Sequence, residues 1–370
     1  MTAKRKNIEE TEFEGEEIIS DFEGPFDPNN IDVDIAVVNL GSLLEMLEYG
    51  EIDLSPDFQR SGDLWTMKQK SRLIESILLG LPIPSFYFSE DPNTHKLVVV
   101  DGLQRLCAFK EFWVDKTLKL KGMQFLSNLN KKTVDDLDRT QIRRIKSLKI
   151  TLNTLRKGTP ANVKYVLFQR INTAGIPLKQ QEMRNALYQG KATDLLKRMA
   201  KCESFIQATG ESISTKRMAD YNFANRFIAF YLNRETFTGE NDAFLGNALD
   251  QVNKMETQEI DDIYNAFDSS MSVCYQIFGD KAFRRPDRKK QGDFLKINKP
   301  IFDVLSVSIA HLSTKQQEIL IQQKMLFKEL LYSMFLNETF KQSFTQNAIN
   351  VNLRFSMMNE LINYVLNYDN

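Results

Sequence analysis

The residues best placed to do chemistry lie in Val98–Arg105, VVVDGLQR, where an apolar run ends in an acid, a glycine, a carboxamide and a guanidinium. An apolar run that stops at Asp-Gly ahead of helical spacing predicts a buried strand, a tight turn and a helix start. Backbone N–H groups left unpaired at such a turn point at one spot and favour an anion. Asp101 is the one carboxylate in the turn, so it can hold a hard cation. Arg105 can grip a phosphate in a two-bond fork. The chemistry suggested is that of a phosphorylated ligand, a nucleotide with a metal ion. The same pattern also fits an acid that merely caps a helix.

Two other segments carry polar side chains in settings that can line a site. In SPDFQRSGDLW, Ser55–Trp65, Gln59 and Arg60 stand on an extended stretch before a helix, with Phe58 and Trp65 as packing residues. In FQRINTAGIPLKQQEMRNA, Phe168–Ala186, Arg170 and Asn172 precede Gly175, which permits close backbone approach, and Gln181, Glu182 and Arg184 open the next helix. Taken singly, the first also reads as a plain loop and the second as a helix connection. A fourth segment, Lys281–Lys299, holds eight Lys or Arg against two Asp. Its Lys281, Arg284, Arg285, Arg288, Lys289 and Lys290, with Phe283 and Phe294 interleaved, are candidates for contact with a nucleic-acid backbone without sequence readout. A solvated loop between helices is the alternative.

Composition narrows the classes. The 370 residues are 42% hydrophobic and 26% charged, ordinary for a globular protein and enough for two domains. Three dispersed cysteines, Cys107, Cys202 and Cys274, give neither a CxxC pair nor zinc spacing, so they are expected reduced and mostly buried. With only His95 and His311, a histidine-rich metal centre or a Ser-His-Asp triad is disfavoured, and a metal would be held by carboxylates, as magnesium is. No signal-like start and no bilayer-length apolar run are present, so a cytoplasmic location without membrane contact is expected. The net charge of −1 hides an asymmetry: residues 1–34 carry −8 and the rest +7. The acidic leader is expected to be disordered or loosely docked.

Elements must position these residues. NLGSLLEMLEYG reads as a helix stopped at Gly50, and TMKQKSRLIESILLG as a helix burying Leu73, Ile74, Ile77 and Leu78 and stopped at Gly80. LPIPSFYF and LVVV read as strands of one hairpin. Leu103–Trp113 is helical, TLKL a short strand, TVDDLDRTQIRRIKS a helix capped by Thr133, LKITLN a strand, and TPANVKYVLFQRIN a helix capped by Thr159. Beyond about residue 190 long amphipathic segments dominate, and Phe223, Phe227, Phe230 and Tyr231 have core spacing. The expected class is α+β: a leader over 1–34, a mixed domain over 35–190 and a helical domain over 191–370.

Together the segments resemble the N-terminal domain of GmrSD-type restriction enzymes, a ParB/sulfiredoxin-like domain. SPDFQRSGDLW, SRLIESILLGLPIPSFYF, VVVDGLQRLCAF and QRINTAGIPLKQQEMRNA stand in the family's order. Leu103 replaces the glutamine common in the family's DGQQR box, leaving Asp101, Gly102, Gln104 and Arg105 intact. The resemblance implies nucleoside triphosphate binding and hydrolysis with Mg2+ and a role in defence against phage DNA. It assigns Asp101 to the metal or the water and Gln104 to the attacking water. Arg105 and Arg60 go to phosphates, and Gln59, Gly102, Arg170, Asn172, Gly175 and Arg184 to the nucleotide. The HNH nuclease set that often follows is missing, so a separately encoded effector is the expected partner, with DNA and a further copy as others. A ParB-like DNA-binding module without catalysis and an antitoxin-like interaction protein are the alternative readings.

Overall fold

Alternation between apolar and polar residues, and between strand and helix signals, builds the first half of the chain into one mixed sheet with helices on it. In a computed structural model, residues 32–54, 65–91, 94–156, 159, 167, 179–239, 241–287, 293–344 and 347–368 are described. The chain divides into two units, one within Phe22–Leu187 and the other within Tyr188–Asn370.

In the first unit, β1 (Val33–Asn39), β2 (Ile52–Asp53), β3 (Phe86–Glu90), β4 (Leu97–Asp101) and β5 (Lys149–Leu155) form a five-stranded sheet in the order β1-β5-β3-β4-β2. β1 runs antiparallel to β5, β5 parallel to β3, β3 antiparallel to β4, and β4 parallel to β2. The expected hairpin is thus present, and Tyr87 sits opposite Asp101. The alternation VDIAVVN, which forms β1, was not among the strands expected.

Helices α1 (Leu40–Glu48), α2 (Met67–Leu78), α3 (Leu103–Phe109) and α4 (Arg139–Ser147) share a core with Phe86, Phe88, Ile150 and Leu152. The predicted face of α2 is buried, and Thr66 caps it in a reciprocal pair with Gln69. Gly80 ends it at φ +77°. α5 (Gln180–Leu187) lies on the opposite sheet face, where Met183 packs with Val100 and Leu155.

Two expectations are corrected here. TLKL forms no strand; its Leu118 and Leu120 are buried from an irregular segment. Thr133 starts only a single turn, Val134–Asp136, and α4 begins afresh with Asp138 accepting from the Gln141 N–H at 2.8 Å. Leu137 has extended backbone and separates the two. TPANVKYVLFQRIN lies largely outside the described residues.

The second unit is helical, with its core on α8 (Ala219–Asn233), α10 (Thr257–Phe278), α11 (Lys299–Ala310) and α15 (Ala348–Leu366). Between α5 and α8 stand α6 (Lys191–Ala200) and α7 (Glu203–Thr209); α9 (Asn241–Lys254) follows α8. The long segment TKQQEILIQQKMLFKELLYSMF breaks at Gln323 into α12 (Thr314–Gln322) and α13 (Lys324–Met334), and α14 (Glu338–Gln342) is one short turn. A small hairpin, β6 (Arg284–Pro286) with β7 (Phe294–Ile297), interrupts the helices where no strand was expected. No helix among the described residues is long and apolar enough to cross a membrane.

Candidate functional site

The DGLQR box occupies the junction of β4 and α3. Gly102 has φ +104°, and a Cβ there would lie 2.4 Å from Phe86 Cδ1, so only glycine fits the turn. Leu103, the first residue of α3, is buried. The helix then widens into a π-type turn over Lys110–Val114.

Arg105 is turned inward. Its side chain is 10% exposed, and its guanidinium donates to the Pro84 carbonyl, to the Ser85 carbonyl at 3.1 Å and to Asp101 Oδ2 at 3.0 Å. The same group lies 4.4 Å over the Phe86 ring. Burial pushes its pKa below the usual arginine value, and Asp101 opposes that shift. The fork that the sequence suggests for phosphate is here committed to the entry to β3. Asp101 keeps 32% of its side chain exposed beside it. The prolines of LPIPSFYF are the signal for these acceptors, since they place bare carbonyls ahead of a strand.

The box also ties to the segments flanking it. Gln104 Oε1 accepts from the Trp65 N–H at 3.2 Å, joining α3 to the end of SPDFQRSGDLW. Trp65 packs partly on the core, whereas Phe58, Gln59 and Arg60 lie outside the described residues. From the third segment, α5 lies against β4 and so brings its polar residues to the sheet that ends in Asp101. Gln181, Glu182 and Arg184 are buried there; Arg184 Nε donates to Gln181 Oε1 at 3.3 Å, and Glu182 accepts from the Lys179 N–H at 2.7 Å. Arg170, Asn172 and Gly175 lie outside the described residues.

Sequence reasoning missed Glu75, a buried carboxylate on α2 that accepts from the N–H groups of Gln124, Phe125 and Leu126 at 3.0, 2.7 and 2.9 Å. Burial alone would raise its pKa, but these three backbone bonds and Arg72 outweigh burial and hold it below the ordinary value. A lone acid within an amphipathic helix gives no sequence signal of such a role.

For a metal, the described residues offer no group of three or more His, Cys, Asp or Glu. A magnesium ion carried mainly by phosphate oxygens and water needs only one or two protein carboxylates, and Asp101 would offer one.

Part of the basic segment lies within the described residues of the second unit. Arg284 donates to the Thr209 carbonyl at 3.2 Å, to the Leu295 carbonyl at 3.2 Å and to Ser212 Oγ at 2.5 Å, and so braces the hairpin. Arg285 lies 5.8 Å over Phe344, Lys281 pairs with Asp280 at 3.0 Å, and Phe283 is buried. Arg288, Lys289 and Lys290 lie outside the described residues. A cavity of about 690 Å³ in the same unit is lined by Cys202, Ser204 and Asp268. Burial raises the Cys202 thiol pKa, the reverse of what a nucleophile needs. All three cysteines are free and buried, as expected.

No curated protein and no solved structure matches the chain. A family model does match, over residues 40–189, which hold α1, α2, the DGLQR box and α5. It is the model of the GmrSD restriction endonuclease, N-terminal domain, and residues 40–189 are what is similar to that family.

Proposed function

We propose that the first unit is a nucleotide-hydrolysing switch of a restriction-like defence system, built on a ParB/sulfiredoxin-like fold. The observation that carries this reading is the convergence on one turn. Asp101 ends β4, Gly102 forces the turn, Gln104 binds the end of one flanking segment at Trp65, and α5 of the other lies on β4. In this reading Arg105 is a positioning residue: it fixes the Asp101 carboxylate and the β3 entry from inside. Asp101 faces the ligand with its exposed portion and holds Mg2+ or orients water. Gln104 places the attacking water, and Gln59, Arg60, Arg170, Asn172, Gly175 and Arg184 complete the nucleotide cradle. The metal, when bound, draws charge from the phosphate oxygens.

The helical unit passes the nucleotide state to a separately encoded effector in the cytoplasm, acting on or with DNA. Calorimetric titration of the full chain with the common nucleoside triphosphates and Mg2+ tests the reading. It expects saturable binding that Asp101→Ala weakens at least about ten-fold, which corresponds to about 1.4 kcal/mol. No heat with any triphosphate contradicts it.

A further inference from the structure

A second concentration of positive charge lies apart from both the box and the Lys281–Lys299 segment. Residues 116–149 of the first unit carry ten Lys or Arg against three Asp, a net of +7. The rest of residues 35–370 sums to zero, because acids elsewhere offset the +6 of Lys281–Lys299. All ten cations are exposed: Lys116, Lys119, Lys121, Lys131, Lys132, Arg139, Arg143, Arg144, Lys146 and Lys149. A surface built for solubility alone intersperses the two signs.

The helix α4 gives this charge a direction. Arg139, Arg143 and Lys146 recur at i, i+4 and i+7 and so form one stripe, rising about 6 Å and then about 4.5 Å along the axis. Arg139 and Arg143 have no side-chain partner among the described residues, and Lys146 reaches only over the Trp113 ring at 5.4 Å. Long cations left in water are free to exchange it for phosphate oxygens. In the same segment Glu75 fastens the loop that bears Phe125, which is 70% exposed. One exposed ring is too little apolar surface for a lipid bilayer.

We propose that the α4 segment, residues 116–149, is the surface on which this protein binds the phosphodiester backbone of a nucleic acid, largely without sequence readout. The site is distinct from the nucleotide box and stands whether or not the box hydrolyses anything. Arg284 and Arg285, committed to the hairpin and to Phe344, do not carry this binding.

The test uses the full chain and fluorescence anisotropy, with labelled random-sequence duplex DNA and duplex RNA of about 25 base pairs at stepped salt. The triple variant Arg139→Gln/Arg143→Gln/Lys146→Gln changes exposed positions only, and its circular dichroism and melting are checked against wild type. The affinity is expected to fall roughly ten-fold for the duplex that wild type binds, and the slope of log K against log salt by about 2 to 3. Lys315→Gln, an exposed lysine in neither basic segment, leaves both within about two-fold of wild type. Unchanged affinity and slope in the triple variant overturn the proposal. So does wild-type binding to phosphatidylserine vesicles with no binding to either duplex. Triphosphate titrations of the same variant remain as in wild type, so failure here is separable from failure of the nucleotide reading.

Discussion

Arg105 Nη2 stands 3.0 Å from Asp101 Oδ2, one helical turn apart, while the rest of the guanidinium closes on the carbonyls that precede β3. The pair therefore links three things that the sequence separates: the end of β4, the first turn of α3 and the start of β3. Its geometry makes Arg105 the support of the acid rather than the outward hand of the site.

The support has a measurable energy. Arg105→Ala leaves the Pro84 and Ser85 carbonyls without their donor and Asp101 without its counter-charge. The expected loss is about 2 to 4 kcal/mol in urea unfolding. Arg105→Lys recovers less than half of it, since one ammonium cannot reproduce the planar fork. A loss below about 1 kcal/mol for the alanine variant contradicts the inward placement.

Gly102→Ala is expected to cost about 3 kcal/mol, from the left-handed backbone and from the 2.4 Å approach to Phe86. Thermal unfolding of the purified variant reads it. A melting temperature within a degree of wild type shows that the turn is not as described. This glycine was legible in the sequence, because Asp-Gly after an apolar run has few other uses. The direction of the Arg105 side chain was not. Inward and outward placements both fit helical spacing, and only the carbonyls of Pro84 and Ser85, some 20 residues earlier in the chain, decide between them.

Glu75 sets a pH dependence. Its folded pKa lies below the ordinary 4.5, so its stabilisation is fully present above that value and is lost as pH falls through the folded value. Stability of wild type is expected to drop more steeply below about pH 4.5 than that of Glu75→Gln, which carries no such titration. Glu75→Gln itself is about 1 to 3 kcal/mol less stable at pH 7, because a carboxamide oxygen accepts backbone bonds more weakly than a carboxylate. Parallel pH-stability profiles for the two proteins contradict this.

In the helical unit, Asp303 on α11 holds the fully buried Arg226 of α8 through two bonds, one of them 2.8 Å. Burial lowers the pKa of the nearby Arg354 on α15 to about 10, with Asp303 opposing and Arg226 adding to the shift. Asp303→Asn leaves both guanidiniums uncompensated and is expected to cost about 3 to 5 kcal/mol by urea unfolding. A cost under about 1 kcal/mol contradicts the buried pairing. The helices themselves were readable from their apolar spacing. The charges inside them were not, since an arginine in an amphipathic segment is ordinarily assigned to the wet face, and Arg226 and Arg354 are wholly buried. The β6–β7 hairpin escaped for a related reason: its arginines and lysines mask a short strand pair that is held by Arg284 rather than by apolar alternation.

The central claim is that the turn at Asp101 and Gly102 hydrolyses a nucleoside triphosphate. Phosphate release from each common triphosphate with Mg2+, by wild type and by Asp101→Ala matched for folding, tests it most directly. The account predicts Mg2+-dependent turnover that falls at least about a hundred-fold in the variant, close to 3 kcal/mol of transition-state stabilisation. Turnover that survives the loss of Asp101, or none from folded wild type with and without DNA, contradicts it.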